Sequence, residues 1–242
     1  MRNSMLSKIK NILSIVWKMS RYNLKIIFAN KFIYFMLAAV AIFLLITVIN
    51  LFDPDSTPNM ALVYYWLLVP GILLIFYPTV FGIQNDADSR MLEILFGIPN
   101  YRYKVWLVRL AVIYVVVFFM ILILALLSSL ALVSFNVLYM SYQLMFPIFF
   151  LGCLSFMFST VVRNGYGTAV FLVVIGLFFW ILSGALLESK WNLFLNPFHV
   201  PQNVSEMVWA DNLFKNRIYL FVGIIIFILV GLLNMQKREK FV

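Results

Sequence analysis

Five long runs of the chain contain no Asp, Glu, Lys or Arg, and their lengths limit the fold more than any other feature. They cover residues 32–52, 56–85, 110–162, 164–187 and 218–236. About 20 helical residues cross a hydrocarbon core of about 30 Å, so four of the runs suit one crossing each. The run 110–162 would form a helix of about 80 Å, which is too long for one crossing. The stretch Ser134, Phe135, Asn136 offers a polar break, and we interpret this run as a hairpin of two helices.

The chain is therefore predicted to be an all-α integral membrane protein with a single transmembrane domain over residues 1–242. Only 11% of its residues are charged, against about 25% in soluble domains, and 64% are hydrophobic. Helices satisfy every backbone hydrogen bond within lipid, and the alternation typical of barrel strands is absent. The six predicted spans are 33–52, 61–83, 105–133, 140–162, 166–187 and 217–235.

Lys and Arg are concentrated in four segments, and this distribution predicts the orientation. The segments are residues 1–31, the region 90–109, Arg163 and the stretch after residue 236. Basic residues favour the cytoplasmic side, so we expect a multi-pass protein of the cell (inner) membrane with both termini in the cytoplasm. The net charge of +9 is then mostly an orientation signal, and a nucleic-acid partner is not expected.

Two segments outside the spans have an amphipathic pattern. Residues 1–31 alternate apolar and basic positions at helical spacing, which predicts an interfacial helix that lies on the inner membrane surface. Residues 188–216 are too apolar for a plain loop. We expect two short re-entrant or interfacial helices there, at the outer leaflet and broken near Pro197 and Pro201.

Chemistry-bearing residues are few. Cys153 is the only cysteine and His199 the only histidine, so neither a disulfide nor a metal site is predicted. Arg109 lies about one turn inside the interface and can extend its side chain to the surface, so no charge is expected within the membrane. No catalytic residue is predicted.

The loop 84–104, which contains NDADSRMLEILFGIPNYRYK, interrupts two apolar runs with several charges. Asn85, Asp86 and Asp88 suit the positive end of a helix, and the next residues would give that helix an apolar face. Pro99 would end it. The pattern predicts a short capped helix that is presented to the cytoplasm.

The run MLEILFGIPNYRYKVWLVRL (91–110) resembles the segment Leu-Glu-x-Leu-x-x-x-Pro-x-x-Arg that follows the second span in type-2 (ABC-2 type) ABC-transporter permeases. The matching positions are Leu92, Glu93, Leu95, Pro99 and Arg102. The family usually has a small residue before Leu-Glu, where this chain has Arg90 and Met91. The layout is also similar: an N-terminal interfacial helix, six spans, and an outer segment with NPFH (196–199) before the last span.

The resemblance implies that this helix is a coupling helix, which docks in a separate cytoplasmic ATPase subunit. The implied docking residues are Arg90, Leu92, Glu93, Leu95, Pro99 and Arg102. The chain contains no G-x-x-x-x-G-K-[ST] motif, so ATP and Mg²⁺ would be bound by the partner and no cofactor by this chain. Six spans form half a pathway in this family, which implies a second permease chain in a homodimer or heterodimer.

A transport pathway would run along the second span, where prolines interrupt the helical hydrogen bonds, and the fifth span, and aromatic residues recur in both. The candidate lining residues are Tyr65, Pro70, Tyr77, Phe179 and Trp180. An outer gate is expected at Asn196, Pro197 and Phe198. Aromatic lining suits an amphipathic, lipid-like or peptide cargo, although the same residues also suit packing and an interfacial aromatic belt. The resemblance to type-2 permeases implies that the cargo is exported.

Two other functions are compatible with the sequence. A membrane anchor, immunity or regulatory subunit would keep the fold with a closed pathway. An intramembrane transferase would need clustered carboxylates or histidines to hold a metal and a diphosphate, and NDAD (85–88) is the single cytoplasmic acidic pair. An ATPase that co-purifies with the chain would favour the transporter over the transferase, and a tight ATP-dependent complex without cargo flux would indicate the anchor or regulatory subunit.

Overall fold

A computed structural model describes residues 32–52, 57–88, 90, 102–202 and 204–235, and all the regular structure in these ranges is helical. A π-helical turn, Arg102–Leu107, precedes the fourth helix. The α-helices are α1 (Phe32–Phe52), α2 (Met60–Val80), α3 (Gly82–Asp88), α4 (Val108–Ala131), α5 (Val137–Val162), α6 (Gly165–Ala185) and α7 (Glu206–Asn234).

Six helical stretches in the described part of the chain are long and apolar enough to cross a membrane, which confirms this part of the prediction. They are Phe32–Asn50, Met60–Asp88, Val105–Ala131, Val137–Val162, Gly165–Ala185 and Glu206–Asn234. The polar break predicted near Asn136 is also present, because α4 ends at Ala131 and α5 begins at Val137.

Side-chain caps explain where four of the helices begin. Asn59, Asn136 and Asn164 each accept hydrogen bonds from backbone N–H groups in the first turn that follows, and Ser205 does the same for α7. These N–H groups have no partner within the helix, so a cap stabilises each start by about 0.5–2 kcal/mol.

Prolines leave α2 helical as far as Val80, although Pro70 and Pro78 both lie within it. Pro78 has no N–H group, so the carbonyl four residues before it lacks its usual donor. The Thr79 hydroxyl donates to the carbonyl of the next residue, Ile75, over 2.7 Å. The helix is interrupted at Phe81, and α3 continues the same apolar stretch to Asp88.

Helix α5 is the centre of the bundle, and its most extensive contacts are with α7 and α2. In its most apolar stretch 61% of the residues are buried, against 11% in α6, which lies at the periphery. Small residues allow this close packing. A Cβ atom added to Gly231 of α7 would lie 2.6 Å from the Phe156 ring of α5.

The segment between α6 and α7 differs from the prediction. Instead of two short helices, residues 186–202, 204 and 205 form turns, which we call the cap segment. Residues 206–216, expected as an interfacial helix, belong to α7 itself. We predicted helices because apolar side chains among polar ones are typical of an amphipathic helix. In the structure, asparagine side chains hold this backbone in turns.

The two ends of the bundle carry different connections. Residues 57–59, the turn 132–136 and the cap segment lie at one end, which we call the cap end. The end of α3, the start of the π-helical turn and the turn at Asn164 lie at the opposite end. The predicted interfacial helix (1–31) and nearly all of the predicted coupling helix lie outside the described residues.

Candidate functional site

A buried ion pair joins the two helices that flank the segment 89–101. Nη1 of Arg109, in α4, donates to Oδ2 of Asp86, in α3, over 2.6 Å. Both side chains are about 95% buried. Opposite charges attract strongly where water is excluded, and removal of one partner would leave the other charge uncompensated.

Aromatic and aliphatic side chains enclose this ion pair. The Arg109 guanidinium lies 4.7 Å from the centre of the Trp106 ring, which adds a cation–π contact. Trp106 belongs to a small apolar cluster with Ile83, Leu110, Phe156, Leu232 and Met235, so α3, α4, α5 and α7 meet here. The ion pair is therefore part of the packing of four helices.

These positions correct two expectations from the sequence. Asp86 lies inside α3 and pairs with Arg109, whereas we expected it to cap the next helix. Arg109 is only 5% exposed, so it does not extend to the membrane surface. An acid near the end of one span and a base near the start of the next were the available signal, and we missed it because Asp86 was assigned to a helix cap and Arg109 to the membrane surface.

The predicted docking residues are placed only in part. Arg90 is exposed, in a turn with φ of 54°, and its N–H donates to the carbonyl of Ala87. The left-handed conformation is unusual for a residue other than glycine. Arg102 begins the π-helical turn. Leu92, Glu93, Leu95 and Pro99 lie outside the described residues.

Asparagine side chains hold the cap segment against the bundle. Asn196 donates through Nδ2 to the carbonyl of Ala61 at the start of α2, and its Oδ1 accepts from the N–H of Phe198. Phe198 packs between Tyr64 of α2 and Tyr139 of α5, with ring centres 6.0 and 5.7 Å away. Two of the three predicted gate residues therefore bridge helices, and Pro197 lies between them partly buried.

A second set of bonds joins the cap segment to α7. Asn216, 1% exposed, donates to the carbonyls of Lys190 and Asn192 over 2.9 and 2.8 Å. Arg217 donates to the carbonyl of Leu195 and, through Nε, to Oε1 of Gln143 in α5 over 2.9 Å. Arg217 begins the predicted span 217–235, and no role was expected for it from the sequence.

The five predicted pathway residues differ in their surroundings. Trp180 lines a pocket of about 270 Å³ between α2, α5 and α6, together with Phe76, Leu151 and Phe194 among others. Pro70 is buried in the core, and Tyr77 stacks on Phe35 of α1. Tyr65 is partly buried beside Tyr64, and Phe179 contacts Phe150.

Comparison with protein-family models, curated proteins and solved structures gave no match.

Proposed function

We propose that this chain is the transmembrane half of an ATP-driven ABC transporter of the type-2 permease class, with ATP hydrolysed by a separate cytoplasmic subunit. The proposal starts from the similarity of residues 91–110 to the coupling segment of that class. The observation that carries it is the buried Asp86–Arg109 ion pair at the base of this segment.

A coupling element must move together with the membrane helices when its partner displaces it. The segment 89–101 is continuous with α3 on one side and with the π-helical turn and α4 on the other. Because Asp86 and Arg109 tie these two sides together, a displacement of the segment would move α3 and α4 as one unit. Packed elements with few alternative arrangements transmit such displacements best.

The ion pair also links this movement to the rest of the bundle. Trp106, which lies under Arg109, contacts Phe156 of α5 with ring centres 6.2 Å apart. Helix α5 in turn packs against α7 and α2. Closure of an ATPase dimer on the segment would thus reach the helices that hold the cap segment.

In this proposal both termini and the segment 89–104 face the cytoplasm, in agreement with the concentration of Lys and Arg there. The protein lies in the cell (inner) membrane and works with a second permease chain. The cap segment faces outward and closes the exit, since Asn196 and Phe198 join it to α2 and α5. The cargo is amphipathic, lipid-like or a peptide, and it is exported.

The deciding experiment is purification of the tagged full-length chain from its native membrane in mild detergent. We expect a soluble subunit with a Walker A motif to co-purify in about equal amount. A folded chain that emerges alone, or only with other membrane proteins, would contradict the proposal. A complex whose ATPase activity moves no cargo would identify a regulatory or anchoring subunit instead.

The ion pair provides a second, independent test in the purified complex. Asp86→Asn should weaken the link between segment and helices, so the ATPase should remain bound while transport per ATP hydrolysed falls. Asp88→Asn is the matched control, because Asp88 lies on the same helix but is exposed. Equal transport in Asp86→Asn and Asp88→Asn would exclude the ion pair as a transmission element.

A further inference from the structure

An apolar groove of about 910 Å³ runs along the surface of the bundle between α4, α5 and α7. Its walls include Tyr114 and Val115 of α4, Phe146 and Phe149 of α5, and Phe221 of α7. This volume is typical of cavities that hold a small amphipathic molecule, which are about 300–1,000 Å³.

A single guanidinium lies in the wall of this groove. Arg217 is 8% exposed, and each of its three nitrogen atoms donates one hydrogen bond to a neutral oxygen: to Gln143, to Asn216 and to the Leu195 carbonyl. A guanidinium has five N–H groups, so two are not used in these three bonds, and the buried Tyr64 hydroxyl also lies beside the guanidinium. Its carbon atom lies 5.2 Å from the centre of the Phe146 ring.

No acidic side chain of the described residues balances this charge. The acids nearest in sequence are Glu188, Glu206 and Asp211, and all three are exposed. Asp211 pairs with Lys215. By contrast, the other buried arginine of the described bundle, Arg109, has Asp86 as its partner. A buried cation without a counter-charge is costly, and in membrane proteins such residues commonly bind a ligand.

The position of Arg217 along α7 matches the boundary of the hydrocarbon core. Helix α7 has 29 residues, and Arg217 precedes its last residue by about 26 Å of helix. A core of about 30 Å therefore places the guanidinium near the headgroup level at the cap end. From Arg217 the groove continues toward the membrane centre along Phe221 and Ile224.

We propose that this groove binds one anionic phospholipid, with its phosphate on Arg217 and an acyl chain along the wall formed by Val115, Phe149 and Phe221. Charge complementarity selects the headgroup, because Arg binds phosphate oxygens with two parallel N–H groups. The apolar wall excludes a free polar anion as the main occupant. The bound lipid would stabilise the cap segment, since Arg217 also bonds to Leu195. This inference depends on the membrane-spanning character of the helices and is independent of the ATPase proposal.

The test is native mass spectrometry of the full-length chain, delipidated and then titrated with phosphatidylglycerol or phosphatidylcholine of equal chain length. We expect one retained phosphatidylglycerol per chain and at least a tenfold preference over phosphatidylcholine. Arg217→Gln should reduce that preference to near unity. Equal retention of the two lipids by the unchanged protein would overturn the proposal.

A second variant keeps the test valid if Arg217→Gln unfolds. Val115→Trp fills the groove from α4 and leaves every hydrogen bond of Arg217 in place. It should abolish phosphatidylglycerol retention. Val170→Trp is the control, because Val170 is similarly exposed, 67% against 54%, but lies on α6 outside the groove.

Three further outcomes would also refute the lipid site. Inorganic phosphate that competes with phosphatidylglycerol at equal concentration would show that the acyl chain contributes nothing. If the delipidated protein forms a dimer and Val115→Trp dissociates that dimer, a second copy of the chain covers the groove. Unchanged retention of phosphatidylglycerol in Val115→Trp would exclude this groove as the site.

Discussion

Arg109 of α4 and Asp86 of α3 form a buried ion pair, with Nη1 and Oδ2 2.6 Å apart, between the two helical elements that flank the segment 89–101 in sequence. The segment thus begins and ends in helices that are held together by charge. The first prediction concerns the contribution of this ion pair to the free energy of unfolding.

Asp86→Asn should lower the free energy of unfolding by about 3–5 kcal/mol, because Arg109 would be left buried without its counter-charge. The double variant Asp86→Leu/Arg109→Met should recover most of that loss, since it removes both charges and retains apolar volume. Denaturation in mixed detergent micelles measures both. Asp88→Asn, at an exposed position, should change stability by less than about 0.5 kcal/mol. A double variant as unstable as the single one would show that the two charges do not act as a pair.

Glu93→Lys and Leu95→Pro should release or uncouple the proposed ATPase while the chain still inserts normally. In the proposed coupling role, the first reverses a charge that would pair with a base on the partner, and the second would break the predicted docking helix. Co-purification and transport assays measure the two effects. Asp88→Lys makes the same change of charge outside the docking motif and serves as the control. Normal ATPase association and transport in both docking variants would contradict the coupling role.

Asn216→Ala should loosen the cap segment, because it removes the donor to the carbonyls of Lys190 and Asn192 and the acceptor for Arg217. Loss of buried hydrogen-bond partners costs about 1–3 kcal/mol per group left unsatisfied. Limited proteolysis between residues 186 and 205 should become faster. Asn212→Ala is the matched control on the same helix, since Asn212 makes one exposed bond of 3.4 Å to the Glu188 carbonyl. Equal cleavage rates in the two variants would argue against the anchoring role of Asn216.

Phe198→Ala should increase basal leak through the proposed exit, because Phe198 fills the space between Tyr64 and Tyr139. The change leaves the Asn196 hydrogen bond to Ala61 in place, so the cap segment should stay attached. Efflux of a loaded dye from proteoliposomes without ATP measures the leak. Val200→Ala, at a 43% exposed position two residues further on, should leave it unchanged. If the Phe198→Ala protein folds and does not leak, the cap segment does not act as a gate.

Gly231→Ala should destabilise the contact between α7 and α5 by about 1–3 kcal/mol, a typical cost of an overfilled core. The new methyl group would lie 2.6 Å from the buried Phe156 ring. Gly184→Ala is the control, because a Cβ there meets no atom within 4 Å. Thermal unfolding in one detergent compares the two, and equal midpoints would show that α7 can shift away from α5.

The sequence determined the number and approximate limits of the membrane-spanning helices. Apolar length is a local property, and a chain in lipid must satisfy its backbone groups by forming helices. The same holds for the break at Asn136, whose side chain caps α5. These features need no knowledge of which helices are neighbours.

Only the tertiary structure decided which polar residues of distant segments meet. Asp86 and Arg109 are 23 positions apart, and Gln143 and Arg217 are 74 apart. A linear pattern does not pair these residues, because it contains no information on how one helix is rotated toward another. The cap segment illustrates the same limit: its apolar residues predicted helices, but bonds from Asn196 and Asn216 to distant carbonyls hold it in turns. Burial of polar groups depends on their partners, and the partners are chosen by helix packing.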